Sequence, residues 1–119
     1  MSRGHGMKVT REDQDGIPVL TLWGEFDSFE TEMVRVVFEE CLEEGNVRVV
    51  FQLGQMTFAN STTIAYFITA QRHARARKGQ IVLAEPQEMI LKALTTLGLA
   101  QVFPIFDNLE DAVVSLKSD

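Results

Sequence analysis

The chain has one cysteine (Cys41), two histidines (His5 and His73), one tryptophan, one tyrosine and three prolines in 119 residues. A lone thiol closes no internal disulfide, and with two histidines beside it no structural zinc set can be assembled. Apolar runs such as Val49-Val50-Phe51 and Ile81-Val82-Leu83-Ala84 are far shorter than the ~20 residues that a bilayer-spanning helix needs. No cleavable export signal opens the chain. These absences lead us to expect a cytoplasmic protein with no metal, no cofactor and no membrane insertion.

Signatures of catalysis are missing as well. The sequence contains no Gly-x-x-x-x-Gly-Lys-Ser/Thr loop, no Gly-x-Gly-x-x-Gly turn and no Gly-x-Ser-x-Gly elbow, so phosphate cradles and nucleophile turns of the familiar kinds are excluded. His73 stands among arginines and reads as a solvated side chain with no nucleophile to serve. Cys41 falls near an apolar helical stripe and reads as an inert, buried small residue. No catalysis is expected, and no period of 20–50 residues marks a solenoid.

What is present is ordinary globular material. Apolar residues make up 45% of the chain and charged residues 24%, enough for one core in a single domain of this length. The net charge of −6 conceals two blocks of opposite sign. Residues 12–44 carry eleven acids against Arg35 alone, whereas residues 45–84 carry Arg48, Arg72, Arg75, Arg77 and Lys78 and no acid. The basic block reads as a solvated helix end whose cations suit a C-terminal dipole, so no nucleic-acid partner is inferred from it.

Residues 1–6 show no periodicity and read as a flexible lead-in, leaving a domain over 7–117. Segments 7–12 and 17–24 have strand character and are joined by Gln14-Asp15-Gly16, a hairpin signal. Asp27-Ser28 offers a cap for a helix over about 29–44, with Phe29, Met33, Val36, Val37, Glu40 and Cys41 at core-face spacing. Val47–Leu53 is β-branched and apolar, hence a central strand. After the connection Gly54–Asn60, Ser61-Thr62-Thr63 cap a helix over about 62–78 with Ile64, Phe67, Ile68 and Gln71 inward, ended by Gly79. Ile81–Glu85 is a further strand, and Pro86 precedes a helix whose stripe is Met89, Ile90, Ala93, Leu94 and Leu97. A strand over Val102–Phe106 and a helix capped near Asn108, with Ala112, Val113 and Leu116 inward, complete the chain. The alternation predicts an α/β fold, with a mixed, mostly parallel sheet of four to five strands flanked by about four helices.

One segment carries chemistry of interest. The strand Val49–Leu53 leads through Phe58-Ala59-Asn60 to the hydroxyls of Ser61, Thr62 and Thr63 at a helix start. Backbone N–H groups and the positive helix end there tolerate a phosphate. A phosphate would leave the fold intact while adding about −1.5 to −2 charge to whatever docks. Read without that role, the same residues are a good helix cap.

Four pieces in order resemble the STAS domain of the bacterial anti-sigma factor antagonist (anti-anti-sigma factor) family. They are Gly24-Glu25-Phe26-Asp27, the strand Val49–Leu53 with Phe58-Ala59-Asn60-Ser61-Thr62, the strand-Pro-helix Ile81–Leu91, and Leu94-Thr95-Thr96-Leu97-Gly98-Leu99 before Val102-Phe103. The resemblance spans Met7 to Leu116. It implies a non-catalytic module that binds an anti-sigma factor which is also a serine-protein kinase, in a partner-switching pathway. That kinase phosphorylates the hydroxyl at the helix start, and a PP2C-type phosphatase restores the active form. By position, Ser61 or Thr62 takes the phosphorylated place, and Asp27, Phe58, Asn60, Ser61, Thr62 and Thr63 form the partner surface. Where the family typically has Asp-Ser-Ser/Thr-Gly, this chain has Asn60-Ser61-Thr62-Thr63, and Gln52 stands for a common Asp. Family members without the full motif serve as constitutive subunits of signalling scaffolds or of lipid-transport ATPases, the alternative carried forward.

Overall fold

The computed structural model describes residues 8–117; the lead-in expected over 1–6 lies outside them. Strand β1 (Val9–Gln14) pairs antiparallel with β2 (Ile17–Leu22). Gln14 faces Ile17 across a two-residue turn in which Asp15 and Gly16 both have positive φ. That is the type I′ geometry whose twist matches the flanking strands, and Asp-Gly is a pair suited to it. The chain continues through β3 (Gly24–Phe26), α1 (Ser28–Glu43), β4 (Arg48–Gln52), β5 (Met56–Ala59), α2 (Ser61–Ala76), β6 (Gln80–Ala84), α3 (Glu88–Thr96), a 3-10 turn over Leu99–Gln101, β7 (Ile105–Phe106) and α4 (Leu109–Lys117).

The main sheet has the order β1-β2-β4-β6-β7, with all but the β1/β2 pair parallel. Register sorts its two faces. Val19, Val50 and Val82 lie in one cross-strand row and pack against Ala112, Val113 and Leu116 of α4. One residue on, Leu20, Phe51 and Leu83 form the next row and face the larger core under α1 and α2, as the period of two in a strand requires. Phe51 is the centre of that core. It meets Phe38 of α1 edge-on at 5.8 Å between centroids and Phe67 of α2 at 5.3 Å, geometry that adds about 0.5–1.5 kcal/mol per pair beyond burial. Gly79 lets β6 start beside Val47, whose carbonyl oxygen would lie 1.9 Å from any added Cβ.

The fold class and the four helices match the expectation; several local readings are corrected. Thr31, Val34, Phe38, Cys41 and Leu42 are the buried residues of α1, whereas Phe29 is 72% exposed and Val36 is exposed. Apolar residues occur on both sides of this helix, so its periodicity alone admits two rotations. On α3 only Ile90 and Leu94 are buried, while Met89 and Leu97 are 79% and 61% exposed. This helix packs beside β5 and the 3-10 turn and leaves half of its apolar stripe in solvent. The strand expected over Val102–Phe106 is reduced to Ile105–Phe106 because Val102 and Phe103 turn back on the 3-10 segment, both of their N–H groups donating to the Leu99 carbonyl. Gln87, one residue past Pro86, is the N-cap of α3.

Candidate functional site

Residues 54–60, read from sequence as a connection, contain β5, and β3 was likewise hidden at the end of a longer strand. The two pair in parallel, with Glu25 opposite Phe58 and Phe26 opposite Ala59. A parallel pair delivers both chain directions to the same end, so α1 and α2 start side by side. This is the geometry that builds the site.

Asp27 caps α1. Its carboxylate accepts the Phe29 N–H at 3.0 Å, and the Glu30 side chain accepts the Asp27 N–H at 3.1 Å, completing a capping box. A hydrogen bond between the Glu30 and Asp27 side chains, and then the one from the Phe29 N–H, lower the Asp27 carboxyl from its ordinary value. Asn60, rather than the following hydroxyls, caps α2: its Oδ1 accepts the Thr63 N–H at 3.0 Å. The helix therefore opens at Ser61, and Ser61 and Thr62 are exposed in its first turn. No acid sits in that turn, so the positive helix end is unneutralised from within.

Thr63 departs from its expected place on a partner surface, because its side chain is fully buried. Its hydroxyl lies 2.7 Å from the hydroxyl of Thr31 and 3.2 Å from the Phe26 carbonyl. Thr31 in turn donates to the Asp27 carbonyl at 2.7 Å. The Thr63 side chain is thus a bolt between the two helix starts. Sequence reasoning missed Thr31, whose only signal was its place one helical turn after the cap.

Gln52 also has a physical reason. Its amide nitrogen donates to Glu85 at 3.2 Å while its amide oxygen accepts the Gly54 N–H at 2.7 Å. An aspartate could only accept, and would face the Glu85 carboxylate as a like charge. Glu85 also receives the Leu109 N–H at 2.8 Å, and Gln87 donates to the Gly54 carbonyl at 2.9 Å. These bonds fix the segment that leads into β5 and Asn60.

Around the helix starts the exposed apolar groups are Phe29 and Phe58, the latter 52% exposed. Phe58 was expected there; Phe29 was misread as core. His73 is exposed near the opposite end of α2, and Cys41 is buried in α1, neither of them at this site. Among the described residues no group of three or more His, Cys, Asp or Glu side chains could hold a metal ion, and no helix is long and apolar enough to cross a membrane. The site offers exposed hydroxyls at a helix start beside acidic and aromatic groups.

Three of the five cations in the basic block hold backbone carbonyls. Arg77 donates to the Leu42 carbonyl in the last turn of α1, Arg75 to Val102 and Arg48 to Leu116 of α4. Arg77, the C-cap of α2, thus also serves the end of the neighbouring helix.

The protein-family model described as STAS domain matches residues 8–112. BtrV of Bordetella bronchiseptica, which carries the name of an anti-sigma factor antagonist, is 24% identical over 112 residues covering 94% of this chain and 97% of that one. An anti-sigma F factor antagonist of Paenibacillus polymyxa is 21% identical, covering 93% and 96%. Among solved structures, an anti-sigma factor antagonist from Mycobacterium paratuberculosis superposes with a TM-score of 0.84 at 18% identity, covering 99% of this chain and all of the other. The phosphorylated form of the Bacillus cell fate determinant SpoIIAA gives 0.73 at 19% identity, covering 92% and 99%.

Proposed function

The chain belongs to the STAS domain family, and from that premise we propose that it is an anti-sigma factor antagonist working by partner switching. It binds an anti-sigma factor that is also a serine-protein kinase, through the face made by Asp27, Phe58, Asn60, Ser61 and Thr62, with Phe29 added. It has no catalytic role of its own. Phosphorylation of Ser61 or Thr62 by that kinase ends the interaction, and a PP2C-type phosphatase reverses the modification.

The observation that carries this reading is the exposure of Ser61 and Thr62 in the first turn of a helix that starts beside α1. A phosphate there meets free backbone donors and a helix end without an acid, so the domain tolerates it. The same phosphate lands between Asp27 and the partner, where added negative charge repels an anionic contact or desolvates poorly. Both named relatives carry the anti-sigma factor antagonist description over nearly the whole chain, which supports the same reading.

The test is intact-mass analysis with fragment mapping after incubation with ATP and a cognate serine kinase. One added phosphate on Ser61 or Thr62, absent in the Ser61→Ala/Thr62→Ala double variant, is the expected result. No phosphate uptake, with binding to that kinase also absent, would instead favour a constitutive scaffold or transporter subunit.

A further inference from the structure

Two grooves flank the C-terminal half of α2, and their charge content differs. The one shared with α1 is lined by Glu39 and Glu43 as well as His73 and Arg77, so acids and bases face each other. The other, of about 470 Å³, is lined by Ile68, Gln71, Arg72, Arg75, Ala76 and Val102 and contains no acid. Ile68, Arg72, Arg75 and Ala76 are spaced i, i+4, i+7 and i+8, a single stripe along the helix. Ile68 and Val102 are half-buried, anchored in the core on one side and open to the groove on the other. Arg75 is held by the Val102 carbonyl at 3.0 Å, which also accepts from Gln71 at 3.0 Å. Arg72 is exposed and makes no ion pair or hydrogen bond among the described residues.

We propose that this groove between α2 and the 3-10 turn is a docking site for an acidic amphipathic helix of a partner protein. The floor is apolar, so it takes the aliphatic face of a helix laid along the stripe. The rim is cationic, so it selects acids flanking that face. Ile68 to Ala76 spans about 12 Å at 1.5 Å per residue, which seats two to three turns of the partner. The overall charge of −6 disfavours polyanions held by charge alone, and two guanidinium groups over an apolar floor suit a peptide better than a phosphate backbone. This surface is separate from the helix starts and does not depend on the function proposed above.

The experiment is amide-resolved NMR titration of the whole chain with a capped peptide of leucine and glutamate at i, i+3, i+4 spacing. Shifts confined to Ile68, Gln71, Arg72, Arg75 and Val102, weakened at least about tenfold by Arg72→Glu and lost with rising salt, support the site. Arg72→Glu removes no hydrogen bond of the fold, so it should remain folded. Four results would each overturn the proposal: no shifts at millimolar peptide; equal affinity for the glutamine version of the peptide; stronger binding of a single-stranded oligonucleotide at the same residues; or the same shifts on raising the protein concentration alone, which would make the occupant a second copy.

Discussion

The hydroxyls of Thr31 and Thr63 lie 2.7 Å apart and join the first turn of α1 to the first turn of α2. Two hydroxyl protons are available to this cluster. If Thr31 donates to the Asp27 carbonyl, Thr63 donates to Thr31, and a directed chain runs from the start of α2 to the cap of α1. Removing the Thr63 hydroxyl leaves that chain with a buried oxygen lacking its donor.

Thr63→Val, which keeps the shape and deletes the hydroxyl, is therefore expected to destabilise the fold by about 1–3 kcal/mol, with Thr63→Ser losing less. Urea unfolding at equilibrium measures both. A Thr63→Val variant as stable as the parent would show that the hydroxyl pair holds nothing.

Phe51 and Leu97 are predicted to behave oppositely. Phe51 is fully buried between Phe38 and Phe67, and its replacement by alanine should cost about 3–5 kcal/mol. Leu97 projects largely into solvent, and Leu97→Ala should change stability by less than about 0.5 kcal/mol. Paired denaturation curves decide the matter.

Burial pushes the Cys41 thiol up to about 11 from an ordinary 9.0. The folded state then holds its proton where the unfolded chain has lost it, so this group's contribution is present below pH 9 and declines as pH rises toward 11. Cys41 should resist disulfide-exchange reagents at pH 8 in the native protein and react at once in denaturant. Prompt native-state labelling would contradict the buried placement.

Carboxylates act at the other end of the scale. Hydrogen bonding from Arg11 lowers the Glu44 carboxyl below 4.5, and Arg35 does the same for Glu32. Their stabilising contributions are present above pH 4.5 and are lost as pH falls through the lowered values. Carboxyl NMR titration should place the Glu44 midpoint below 4.5, and Arg11→Gln should raise it toward the ordinary value, the Asn46 amide remaining as a donor.

Ser61→Asp separates fold from function. An acid in the first turn of α2 suits the helix dipole, so stability should hold or rise by about 0.3–1 kcal/mol, while affinity for the partner kinase should fall. Unchanged affinity in a calorimetric titration would count against charge-based switching at this position.

The order of strands and helices was readable because long periodic segments and strong turn signals agree: the Asp15-Gly16 hairpin and the strands Arg48–Gln52 and Gln80–Ala84 all match. The short strands Gly24–Phe26 and Met56–Ala59 were not, since three or four residues carry too little pattern to distinguish from loop. The site suffers most from that loss, because it is their parallel pairing that brings Asp27 and Asn60 together. Asp27, Phe58, Ser61 and Thr62 were legible as exposed candidates. Thr31 and Glu85 were not, because their roles are made by partners 32 and 33 residues away.

Strand β1 forms one border of the main sheet and would offer its outer backbone to any passing strand. Arg11 on it grips Asp13 and reaches across to Glu44 just beyond α1, so an incoming chain meets an ionic strip fastened to the helical layer. At high concentration this border should resist edge-to-edge strand addition and the fibrils that grow from it, and neutralising Arg11 together with Asp13 is where such growth would begin.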